Sequence, residues 1–103
     1  MKTRMPDVKD VAREIRALAK EVARYGAFEG GEPPELRLQV YQDGTWALRW
    51  GLSDYDLDHR GYWGASCLPR PREKASVFES VARSLVDQAT EQAAYAGALE
   101  EEE

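Results

Sequence analysis

Six residues invite a chemical reading first: Asp54-Tyr55-Asp56-Leu57-Asp58-His59 sets a carboxylate at every second position. Calcium loops begin this way, with ligands at their first, third and fifth positions. Counted from Asp54, the pattern then breaks, because the sixth position is His59 where Gly is needed and the twelfth is Ala65 where Glu is needed. No tight calcium or zinc site is therefore expected. Two other readings fit the run. One is a solvated hairpin loop whose carboxylates meet Arg60 or backbone N–H groups. The other is imitation of phosphates, since residues two apart in an extended segment lie about 6.6–7 Å apart, comparable to the phosphate repeat of a nucleic-acid strand. In the second case Asp54, Asp56 and Asp58 would face a basic protein surface.

His59 and Cys67 are the only residues of their types and could in principle form a base–nucleophile pair. Cys67 lies among apolar residues of an expected strand, which suits a buried structural thiol better. No phosphate-binding Gly-rich loop and no serine-nucleophile motif accompanies them, so neither an enzyme nor a cofactor site is expected. Arg70, Arg72 and Lys74 precede an expected helix and could meet a phosphate together with its N-terminus. A solvated linker is the plainer reading of them.

The elements that must position these residues follow from periodicity. Val8, Val11, Ala12, Ile15, Leu18, Ala19, Val22 and Tyr25 recur at helical spacing behind Asp7, a good N-cap, and ahead of Gly26, a good C′ residue. After the linker at residues 28–34, Leu36-Arg37-Leu38-Gln39-Val40-Tyr41 alternates, and so does Thr45-Trp46-Ala47-Leu48-Arg49-Trp50. A three-residue turn with Gly44 as a left-handed bulge pairs Val40 with Trp46, Leu38 with Leu48 and Leu36 with Trp50. That register gathers all six apolar residues on one face, and a one-residue slip would break it.

The segment from Gly61 to Leu68 reads as a third strand, with Trp63, Ala65 and Cys67 inward and Tyr62, Gly64 and Ser66 outward. Pro69 and Pro71 end it. Ser76 and Glu79 have the spacing of a capping box before a second helix that carries Val77, Phe78, Val81, Ala82, Leu85, Val86, Ala89, Ala93 and Ala96. The expected fold class is α+β, in the order α-β-β-β-α: a three-stranded antiparallel meander with two helices packed on one face. Residues 1–99 form one domain and 100–103 an acidic tail. The three tryptophans belong to the expected core. The outer sheet face is expected to stand open, carrying Arg37, Gln39, Tyr41, Arg49 and Tyr62; Tyr and Arg are residue types favoured at binding hot spots.

At 103 residues the chain suits one modest core, and its single cysteine excludes an internal disulfide and a Cys-rich zinc site. No apolar run approaches the ~18 residues of a membrane span, and Met1 to Asp10 lack a signal peptide's apolar stretch, so a cytoplasmic location is expected. The net charge is −5, unevenly placed: residues 1–25 carry seven Lys/Arg against four Asp/Glu, and residues 26–103 seven against fifteen. This favours a partner with a basic surface and argues against direct nucleic-acid binding.

Two resemblances bear on function. The order α-β-β-β-α with basic residues before the last helix resembles a double-stranded-RNA-binding domain, which implies phosphate contacts from Arg70, Arg72 and Lys74. The short Gln42-Asp43-Gly44 turn departs from that family, whose first hairpin loop reaches a minor groove, and so does the sign of the charge. The stretches from Gln39 to Trp46 and from Asp54 to Ser66 resemble small acidic proteins of phages and mobile elements. Their general character is that of anti-CRISPR and anti-restriction inhibitors. That resemblance implies a non-catalytic protein that blocks the nucleic-acid-binding surface of a host defence nuclease complex. The residues expected at such an interface are Asp54, Asp56 and Asp58, or else Arg37, Tyr41, Arg49 and Tyr62 on the sheet.

Overall fold

Asp7 starts the first helix as its type suggests: its carboxylate accepts a hydrogen bond from the Lys9 N–H at 2.9 Å. A computed structural model describes residues 3–51 and 60–98. Helix α1 runs Val8–Ala23 and buries Val11, Ala12, Ile15, Ala19 and Val22. It closes through a bond from the Ala27 N–H to the Val22 carbonyl, with Gly26 at positive φ. Tyr25, expected to continue the apolar stripe, is 79% exposed, because the helix has ended before it.

Strands β1 (Glu35–Val40) and β2 (Trp46–Trp50) form the expected hairpin in the expected register, with Val40 opposite Trp46, Leu38 opposite Leu48 and Leu36 opposite Trp50. Gly44 adopts φ 88° and donates to the Tyr41 carbonyl at 2.9 Å, while the Tyr41 N–H donates to the Thr45 carbonyl at 2.8 Å. A side chain at Gly44 would strain that left-handed bulge. Asp43 completes the turn: its carboxylate accepts from the Thr45 hydroxyl at 2.6 Å and from the Thr45 N–H at 2.9 Å.

Strand β3 (Tyr62–Cys67) departs from the expected meander. It pairs antiparallel with β1, so the order is β2-β1-β3 and β1 is central. Trp50 lies opposite Leu36 and Tyr62 opposite Val40, so the connection starts and finishes at opposite ends of β1. The central place goes to the strand that tolerates burial on both faces: residues 36–40 are all buried, whereas those of β2 are half-buried or exposed.

The faces of β3 are also reversed from expectation. Tyr62, Gly64 and Ser66 pair with Val40, Leu38 and Leu36 and lie on the helix side; Trp63, Ala65 and Cys67 face the other way. The cause is helix α2 (Ala75–Tyr95), which crosses β3 closely at Gly64. A Cβ at Gly64 would sit 2.6 Å from the Leu85 carbonyl oxygen and 2.9 Å from the Gln88 Cβ. A residue without a side chain is needed at this crossing, and a tryptophan could not occupy it.

Helix α2 buries Phe78, Ala82, Leu85, Val86, Ala89 and Ala93 against β1 and β3, and α1 packs beside it on the same face of the sheet. The Ser76 capping box does not form. The helix starts at Ala75 with Lys74 at the N-cap and no side-chain hydrogen bond there, which leaves Ser76 inside the first turn. Thr3, almost fully buried, ties the ends together: its N–H donates to the Ala98 carbonyl and its hydroxyl to the Gln42 carbonyl.

Two predictions follow from these contacts. Gly64→Ala should cost about 1–3 kcal/mol, because the clash is with helix backbone that cannot swing aside; an unchanged urea midpoint would contradict the close crossing. The bonds from Thr45 hold the Asp43 carboxyl below its ordinary value of 3.8. The carboxylate's support of the turn is then complete above the unfolded value and is lost as pH falls through the lower folded value. Titration of the Thr45 amide by NMR should show a midpoint below 3.8, and a midpoint at or above it would contradict the Asp43–Thr45 bonds.

Candidate functional site

A three-stranded sheet has two edges, and unpaired edges are places where another strand can add. In this fold the two edges are treated differently. On β3, alternate residues turn their backbone groups away from β1. Gln88 and Gln92, one turn apart on α2, meet them. The Gln88 amide accepts from the Ala65 N–H at 3.1 Å and donates to the Ala65 carbonyl at 3.0 Å. The Gln92 amide does the same for Trp63, accepting at 3.1 Å and donating at 2.7 Å. Each side-chain amide takes the place of a neighbouring peptide unit, so α2 seals this edge.

Among the described residues, the β2 edge has no such cover. The Tyr41 N–H to Thr45 carbonyl bond at one end of the hairpin and the Gly51 N–H to Glu35 carbonyl bond at the other fix which residues face β1. Ala47 and Arg49 turn their backbone groups inward to β1, and Trp46, Leu48 and Trp50 turn theirs outward. Among the described residues nothing pairs with those outward N–H and C=O groups. The side chains of Trp46 and Leu48 pack on the core but remain half-buried, and Trp50 is 39% exposed.

Helix α1 stands back from this strand. A groove of about 270 Å³ lies between them, lined by Glu14, Leu18 and Glu21 of α1 and by Trp46, Ala47 and Leu48 of β2. Leu18 packs against the core and also forms this wall, which leaves it half-buried. Among the described residues, the only charged side chains lining the groove are the two exposed glutamates. An extended segment laid along β2 would find backbone partners on one side, apolar side chains below and carboxylates above.

Of the residues expected on the outer sheet face, Arg37, Gln39, Tyr41 and Arg49 lie there and Tyr62 does not, but the face is not open. Arg37 is only 7% exposed. It bonds the Glu35 carboxylate at 3.0 Å and lies 5.5 Å from the Trp63 ring centre, flanked by β2 and β3 because its strand is central. Gln39 is 5% exposed and donates to the Arg60 carbonyl at 2.7 Å. Tyr62 belongs to the helix-side core. Arg49 and Tyr41 do share the outer face, joined by a 3.1 Å bond from guanidinium to hydroxyl, and both are half-buried. This face is therefore not the open surface its alternation suggests, and Trp63, expected inward, is part of its cover.

Asp54, Asp56, Asp58 and His59 lie outside the described residues. Among the described residues, no three His, Cys, Asp or Glu side chains group as a metal site. Cys67, expected inward, is exposed at the end of β3. Arg70, Arg72 and Lys74 are exposed on the turn into α2, and Arg70 lies 5.6 Å from the Phe28 ring centre. No described helix is long and apolar enough to cross a membrane. The chain matches no protein-family model, no curated protein and no solved structure.

Removing the edge seal tests its energetic role. Gln88→Ala/Gln92→Ala should lower stability by about 2–4 kcal/mol, from four lost hydrogen bonds of about 0.5–1.5 kcal/mol each, partly offset by hydration. Chemical denaturation measures this, and a change below about 0.5 kcal/mol would contradict it.

Proposed function

We propose that this chain is a non-catalytic protein-binding module whose docking element is the open edge of β2 with the groove beside it. The observation that carries this reading is the contrast between the edges. One is closed by two glutamines, and the other has outward backbone groups that no described residue pairs, beside half-exposed Trp46, Leu48 and Trp50. Strand addition at such an edge takes affinity from main-chain bonds and specificity from side-chain pockets.

In the finer form of the proposal the chain is a phage or mobile-element inhibitor acting in the cytoplasm. Its partner is the basic, nucleic-acid-binding surface of a host nuclease complex. Support comes from the charge of −5, from the fifteen Asp/Glu that follow residue 25, and from the resemblance of two segments to small acidic proteins of mobile elements. A second reading, direct nucleic-acid binding, has one specific observation in its favour. Arg70, Arg72 and Lys74 are exposed beside the N-terminus of α2, which has neither a side-chain cap nor an acidic residue in its first turn.

Affinity capture from a lysate of the source organism separates these readings. The tagged chain should retain a protein after nuclease treatment. So should the Arg70→Glu/Arg72→Glu/Lys74→Glu variant, whereas Trp50→Lys should lose the protein without a change in melting temperature. Loss on nuclease treatment and in the triple basic variant would give the function to nucleic acid. Loss only in Asp54→Asn/Asp56→Asn/Asp58→Asn would move the interface to the acidic run.

A further inference from the structure

The groove has a charge and a spacing as well as an open strand, and these specify an occupant. We propose, on the reading of β2 as the docking edge, that the segment it accepts is extended and carries a Lys/Arg–x–apolar–x–Lys/Arg pattern.

The argument is geometric. Glu14, Leu18 and Glu21 lie along one line of α1, and seven helical residues rise about 10.5 Å. Residues of an added strand that face α1 recur every second position, about 6.6–7 Å apart. An apolar residue set against Leu18 and Leu48 then has its same-face neighbours two positions before and after it. Those two are about 13 Å apart and flank the centre as the two glutamates do. Lysine or arginine at both positions closes the difference with its flexible stem, laying its methylenes on Trp46 or Leu18 and its charge on a carboxylate. The intervening residues face the other way, beside Ala47 and Arg49, where β-branched residues such as threonine suit the strand.

The same charges argue against a second copy of the chain as the occupant. Antiparallel pairing of two β2 strands about Leu48 would satisfy the outward backbone groups of both. It would also set two acidic rims against one another, between chains of charge −5 each.

The test uses a fluorescent, end-capped peptide, Thr-Lys-Thr-Val-Thr-Lys-Thr, and the same peptide with Glu in place of Lys. Binding is followed by anisotropy and by amide shifts of the folded chain. The lysine peptide should bind and shift the Trp46, Leu48 and Trp50 amides. The Glu14→Lys/Glu21→Lys variant, altered only at exposed helix positions, should bind it about tenfold more weakly, two rim ion pairs being turned into repulsions. The difference should shrink as salt rises. Equal binding of both peptides at the β2 amides would overturn the charge pattern and leave the docking edge standing. If neither peptide shifts those amides, both the pattern and the docking edge fall. Sedimentation showing a dimer that Trp50→Lys abolishes would overturn the proposal in favour of a second copy.

Discussion

The fold turns on how closely α2 can approach β3. Without a Cβ at Gly64, the Leu85 turn of the helix lies directly on the strand, and Gln88 and Gln92 come within hydrogen-bond reach of the strand's outer backbone. The helix thereby performs two tasks, covering one side of the apolar face and closing the edge next to it. A larger residue at position 64 would lift α2 and break both. The constraint explains the order β2-β1-β3 as well. The strand held by the helix lies at one margin, β1 is enclosed, and β2 is left at the other margin, with α1 beside it across the groove.

With α2 committed to β1 and β3, α1 packs beside α2 and does not settle fully on β2. The groove between α1 and β2 is the consequence, and with it the partial exposure of Leu18, Trp46 and Leu48. Natural sheets commonly protect an exposed edge with charge, proline or a bulge. Here β2 contains no proline, and its one charged residue, Arg49, points to the outer face, where it bonds Tyr41. The protective charge lies instead on α1, as Glu14 and Glu21. Such an arrangement repels another acidic chain and admits a basic segment, and this ties the electrostatics of the edge to its selectivity.

Much of the fold was legible in the residues because it rests on local chemistry. Helical periodicity located α1 and α2, Asp7 marked a cap that forms, and Gly44 with the apolar alternation set the hairpin register. What could not be read was non-local. Alternation does not say on which side of a hairpin a third strand will lie. Trp63 looked more core-like than Gly64, although close helix contact required the glycine. Arg37 and Gln39 read as a wet face but are buried, because a central strand has neighbours on both sides. Gln88 and Gln92 are of a residue type common on the solvated side of a helix. Their spacing of four was the one available signal, and it acquires meaning only once β3 is known to lie beneath them. The Trp46, Leu48 and Trp50 set was read as core, and its role at an open edge depended on the strand order.

The account stands on the difference between the two sheet edges, and amide hydrogen exchange on the free, monomeric chain reads it directly. Trp63 and Ala65, whose N–H groups donate to glutamine side chains, should exchange slowly. Leu48 and Trp50, whose N–H groups face outward on β2, should exchange faster by orders of magnitude, although they lie in the same sheet. Comparable protection of Leu48 and Ala65 in the monomer would mean that β2 is covered, and would contradict the account.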